Sequence, residues 1–78
     1  MRAVTVICRY VANEADAVLS DVAIEMALAV PAHYADGQVA AAAIEAADQR
    51  VAGIAREFGS TYRRVTQAEG IFCEVRHG

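Results

Sequence analysis

Residues 37–58 carry the strongest periodic signal in the chain. Apolar side chains recur at Ala40, Ile44, Ala47, Val51, Ile54 and Phe58, spaced 4, 3, 4, 3 and 4. That interval places them on one face of an α-helix. Gly59 follows, a residue suited to the left-handed conformation that ends helices, and Asp36 precedes as the expected N-cap. Ala42, Ala46 and Gly53 give another face small side chains that let a neighbouring backbone approach closely. The repeat is too short, and too rich in alanine at its start, to stand alone as a coiled coil. This helix therefore needs other elements to pack against.

Residues 2–11 read as a strand. Val4, Val6, Cys8 and Tyr10 alternate with Thr5, Ile7, Arg9 and Val11, and β-branched residues are frequent. Residues 61–67 and 71–77 read as two further strands, joined as a hairpin around Gln67, Ala68, Glu69 and Gly70. The adjacent Arg63 and Arg64 suit a sheet edge. Residues 14–30 read as a first helix, with Asn13 as N-cap, Glu14 and Asp16 in the first turn, and Pro31 closing it. Its apolar stripe is Ala15, Val18, Leu19, Val22, Met26 and Ala29, and Glu14, Asp21 and Glu25 line another edge. The predicted order is β-α-α-β-β. The expected fold is a two-layer α+β domain spanning 1–78, with a three-stranded, mainly antiparallel sheet and a helical hairpin on one face.

Composition limits how much such a domain can bury. Eighteen of the 78 residues are alanine, so the core is thin, and a homodimer that buries more surface is expected. Nothing resembles a secretory signal or a membrane span; Cys8 and Cys73 are expected to be reduced thiols in a cytoplasmic protein. The two cysteines become cross-strand neighbours if the first and last strands pair.

Charge is unevenly laid out. The net charge is −3, every base is arginine, and between Arg9 and Arg50 lie seven acids without one base. The rest of the chain holds seven Arg against three Glu. Helix physics accounts for Glu14 and Asp16 in a first turn, but not for Asp21 and Glu25, like charges one turn apart. These four acids are the expected partner-binding residues, aimed at a basic protein.

Other chemistries fit less well. Cys8, Cys73, His33 and His77 are a nominal zinc set, but on a strand Cys73 and His77 lie about 13 Å apart, too far for one ion. No metal or other cofactor is expected. His33, Tyr34 and Asp36, with Ser60 as an imagined nucleophile, lack an orienting group and an oxyanion hole. The Gly59–Arg64 stretch follows a helix C-terminus, the wrong end for phosphate. An open sheet face with Arg9, Arg63, Arg64, Phe72 and Arg76 offers an alternative, a stacking surface for nucleic acid. A chain with net negative charge and no Lys lacks the long-range field of such binders, so nucleic acid is not the expected partner.

The leading expectation is a non-enzymatic interaction module or inhibitor that sets an acidic helical surface against a basic, nucleic-acid-binding protein. Its carboxylates would occupy Arg and Lys sites that otherwise hold phosphates. A phage-encoded anti-CRISPR-type inhibitor is the class-level example. The alternatives are the nucleic-acid-binding sheet and a small dimeric enzyme or sensor with a site near His33 and Tyr34.

Overall fold

A central eleven-residue strand organises the molecule. The structure, a computed structural model, describes residues 1–77. Its elements are β1 (Arg2–Ala12), β2 (Asp21–Val30), α1 (Asp36–Phe58), β3 (Tyr62–Arg64) and β4 (Cys73–His77). All strand pairs among the described residues are antiparallel, and the one helix found there lies on one face of the sheet. The class is α+β, as the sequence predicts. The predicted β-α-α-β-β order with a helical hairpin is not found.

The correction concerns residues 14–30. Asn13 to Ser20 form an irregular connection and Asp21–Val30 form β2, which pairs with β1 along its length, from Val11↔Asp21 to Arg2↔Val30. The cause lies in the alanines. Val22, Ile24, Met26, Leu28 and Val30 alternate with Asp21, Ala23, Glu25, Ala27 and Ala29. Alanine passes for apolar in a helical count and for a small surface residue in a strand count, so both periods fit. Pairing with β1 decides between them. It lays the five larger side chains beside Val4, Val6, Cys8 and Tyr10 on one face.

Helix α1 covers that face. Its ends are close to those predicted, and Gly59 caps the C-terminus in the left-handed conformation (φ 66°), donating its N–H to the Ala55 carbonyl. The N-cap is Ala35, not Asp36; the Gln38 side-chain oxygen accepts the Ala35 N–H at 2.8 Å. Asp36 instead sits 3.7 Å from the Arg2 guanidinium. The buried stripe is Val39, Ala43, Ala47 and Val51, rotated from the predicted one in its first half. Ala40 and Ile44 face a groove beside β4, and Phe58 is 39% exposed. The largest fully buried side chains are Val4, Val6, Val39 and Cys8, so the core is as thin as the composition implies. Among the described residues no second layer of helix or strand covers the outward face, though the 65–71 segment closes a cavity against it at Arg9, Val11, Asp21 and Ala23; the molecule is a slab of 43 × 27 × 16 Å.

The predicted hairpin of 61–67 with 71–77 is also replaced. β3 and β4 do not pair with each other; both join the same edge of β1, end to end. β3 lies against Tyr10, Val11 and Ala12, and β4 against Val4 to Cys8. Arg9 faces the gap between them. Its N–H donates to the Phe72 carbonyl (2.7 Å) and its carbonyl accepts from the Val65 N–H (3.2 Å). Together β3 and β4 act as one third strand with residues 66–71 looped out. Gly70, at φ 144°, makes the backbone turn that closes this loop, a conformation that favours glycine.

Candidate functional site

The two sides of the sheet's border differ in what holds them. On one side is β2, an uninterrupted edge of ten residues. Among the described residues its only strand partner is β1, so one row of its backbone donors and acceptors is unpaired. Asp21 and Glu25 are exposed on its outward face, among Ala23, Ala27 and Ala29. Successive residues of one strand face are about 6.6 Å apart, so the two carboxylates stand about 13 Å apart. Among the described residues neither has an ion-pair partner. Between this edge and α1 runs a crevice lined by Glu25, Arg50, Gly53, Ile54 and Glu57.

Glu14 and Asp16 are parted from that pair. The Glu14 carboxylate accepts the Thr61 N–H at 3.0 Å and the Thr61 hydroxyl at 3.0 Å. These bonds, the backbone one foremost, hold its carboxyl below the usual range. Asn13 is no helix cap either. Its side-chain amide donates to the Thr61 hydroxyl oxygen at 2.8 Å and its N–H to the Thr61 carbonyl at 2.9 Å. Thr61 thus ties the β1–β2 connection to the corner between α1 and β3. The Tyr62 hydroxyl strengthens the tie by donating to the Leu19 carbonyl at 2.8 Å. Asp16 is exposed on the same connection. Among the described residues the predicted acidic helical surface of Glu14, Asp16, Asp21 and Glu25 is not found. Two acids belong to a loop, one of them a fastening, and two to a strand edge.

The opposite edge is crowded with ion pairs. Arg63 donates two hydrogen bonds to Glu69, at 2.6 and 2.8 Å. The same carboxylate accepts the N–H and hydroxyl of Thr66, both at 3.0 Å, which fixes the 66–71 loop. Arg63 above all draws the Glu69 carboxyl down to about 2. Arg64 pairs with Asp48 of α1, whose other oxygen accepts the Tyr10 hydroxyl at 2.7 Å. Burial first, then this bond, pushes the Tyr10 hydroxyl up, while Arg64 holds Asp48 below its ordinary value. Arg76 lies 3.5 Å from Glu74.

The predicted Arg/aromatic face is not assembled. Arg9 and Arg76 are exposed, with Arg9 on the outward face, but Phe72 turns to the helix side. There it meets Tyr10 edge-on at 5.4 Å and sits under the Arg64 guanidinium at 5.2 Å. His33 and Tyr34 contact one another edge-on at 5.3 Å in the connector before α1. Ser60 is buried beyond the far end of α1, about 35 Å away along a helix of 23 residues. The imagined nucleophile and its partners are therefore never neighbours. Among the described residues no cluster of His, Cys, Asp or Glu could hold a metal ion, and the His77 side chain lies outside what is described. No helix among the described residues is long and apolar enough to cross a membrane.

The Asp48–Tyr10–Arg64 tie had no sequence signal, because its members are 38 and 16 residues apart. Comparisons with family models, curated proteins and solved structures yield no match.

Proposed function

We propose that this chain is a non-enzymatic protein-interaction module. It takes an extended, basic segment of a partner protein as an added strand along β2. The single observation that supports this reading is the contrast in β2 itself. It is a long edge whose outer backbone groups, like the carboxylates of Asp21 and Glu25 on its outward face, have no partner among the described residues. An added strand would satisfy the free row of N–H and C=O groups. Arg or Lys on the same face of that strand, spaced four apart, would lie opposite the two carboxylates, where unlike charges stabilise a cross-strand pair. Ala23 between them, and Ala27 and Ala29 beyond Glu25, leave room for long basic side chains to lie along the sheet. In a nucleic-acid-binding partner, the module would compete for residues that otherwise hold phosphate. A nucleic-acid ligand fits this surface less well. Arg63, Arg64 and Arg76 already sit against carboxylates of the same chain, which a phosphate would have to displace.

The test is an amide-shift titration of the isotope-labelled chain with a synthetic peptide of alternating Val and Thr that carries Arg at two positions four apart. The expected shifts concentrate in Asp21–Val30 and vanish in the Asp21→Arg/Glu25→Arg double variant, which keeps wild-type stability. Shifts centred elsewhere, or unaffected by the charge reversal, would falsify the reading. Shifts that grow with protein concentration without peptide would replace the basic partner with a second copy of this chain.

A further inference from the structure

The β1–β4 register places Cys8 opposite Cys73, both as free thiols, with their sulfurs 2.6 Å apart. The neighbouring pair, Arg9 and Phe72, is joined by a backbone hydrogen bond. Because such bonds alternate along an antiparallel ladder, Cys8 and Cys73 occupy a non-hydrogen-bonded position, where Cα atoms approach to about 4.5 Å. That is the short end of the span a disulfide bridges, about 4.4 to 6.8 Å. A bond can therefore form there without moving the two strands apart.

The two thiols are unequal. Cys8 is fully buried under α1. Burial, then the contact with Cys73, pushes its thiol up to about 12. Cys73 is half-buried and lines a groove of about 590 Å³, walled by Ala40, Ile44, Ile71, Phe72 and Val75. A small molecule in that groove reaches Cys73 and not Cys8.

We propose that Cys8 and Cys73 form a reversible thiol–disulfide site, in which Cys73 exchanges with a low-molecular-weight disulfide entering the groove and Cys8 resolves the product. The Cys73 thiolate attacks one sulfur of the small disulfide. The small disulfide's S–S bond breaks, and one small thiolate leaves and takes a proton. Cys8 then loses its proton and attacks the Cys73 sulfur, which breaks the mixed disulfide and expels the second small thiolate with that proton. Two protein thiols are oxidised to one disulfide, and one small disulfide is reduced to two thiols. The new bond fastens the five-residue β4 to the central strand. It does not depend on what binds β2.

Oxidised glutathione is the probe, added in native buffer to the full chain, with free thiols counted by maleimide tagging and intact mass. The thiol count is expected to fall from two to zero within one chain, with a Cys8–Cys73 linked peptide, and to return on adding dithiothreitol. The Cys8→Ser variant should stop at a glutathione adduct on Cys73, and the Cys73→Ser variant should keep its thiol. Wild-type chain that retains both thiols, or that links only between chains, overturns the proposal without recourse to any variant. Equal labelling of the two single variants overturns the assigned order of attack.

Discussion

The two edges of the sheet solve the same problem in opposite ways. The β3/β4 edge is short, broken at Arg9 and studded with arginines, each held by a carboxylate of the same chain. Such an edge offers little for another strand to join. The β2 edge is ten residues long, unbroken, and carries two acids without partners among the described residues. One edge is closed by polar fastenings, and the other, among the described residues, is held by its apolar face and its ladder to β1. The proposed partner strand would add at the edge left open, not at the one the chain closes.

That contrast can be broken from the β2 side first. Met26 is 9% exposed and packs from β2 towards the helix. Met26→Ala should cost about 2 to 5 kcal/mol in urea unfolding. If the loss is no larger than about 0.5 kcal/mol, the range expected for the outward Ala27→Ser, β2 is not held by its apolar face.

Next in size is the fastening of the other edge. Asp48→Ala strands the Tyr10 hydroxyl and releases Arg64, a loss of about 1 to 3 kcal/mol. In a double-mutant cycle with Tyr10→Phe the two losses should not add. Simple additivity would mean that Asp48 and Tyr10 act independently.

Acid should separate the edges without mutation. The Glu69 carboxyl is drawn from 4.5 to about 2 in the folded chain. A depressed carboxyl stabilises fully above its unfolded value and loses that contribution as pH falls through its folded value. Between about pH 4.5 and pH 2 the 66–71 loop should loosen, while the β2 amides keep their protection. Glu14, also depressed, should release Thr61 in the acid range as well. Hydrogen exchange at Thr66, compared with Ile24, reads the difference; equal loss of protection at both sites contradicts it. Glu69→Gln should make the loop's exchange insensitive to acid over that window.

The smallest expected effect sharpens the comparison most. Asp21→Ala and Glu25→Ala should each change stability by less than about 0.5 kcal/mol, because neither side chain is buried or paired among the described residues. Both should still weaken binding of the basic peptide. A stability loss beyond that range, read in the same urea titrations, would assign these acids a role in folding instead.

Much of this architecture was legible in the residues. β1 declares itself because apolar residues (Val4, Val6, Cys8 and Tyr10) alternate with Thr5, Ile7, Arg9 and Val11, and β-branched residues are frequent on both faces. α1 does so because a long repeat ends at a glycine whose backbone must turn left-handed. The candidate site was legible only in part. Asp21 and Glu25 stood out as acids that helix physics did not explain, and the reason is that they are not on a helix. Glu14 and Asp16 were grouped with them by the helix predicted over residues 14–30, whereas the fold gives Glu14 to Thr61.

By itself, then, the sequence determined the strand at residues 2–11, the long helix at 37–58, a thin alanine-rich core and an acidic middle segment, because each rests on local period or composition. The tertiary structure decided the rest. It made residues 21–30 a strand, since alanine satisfies both periods and only pairing with β1 breaks the tie. It also set β3 and β4 end to end on one edge, since β1 is long enough to hold both. Through that register it brought Cys8 against Cys73 and Tyr10 against Arg64, pairs whose proximity no local pattern encodes.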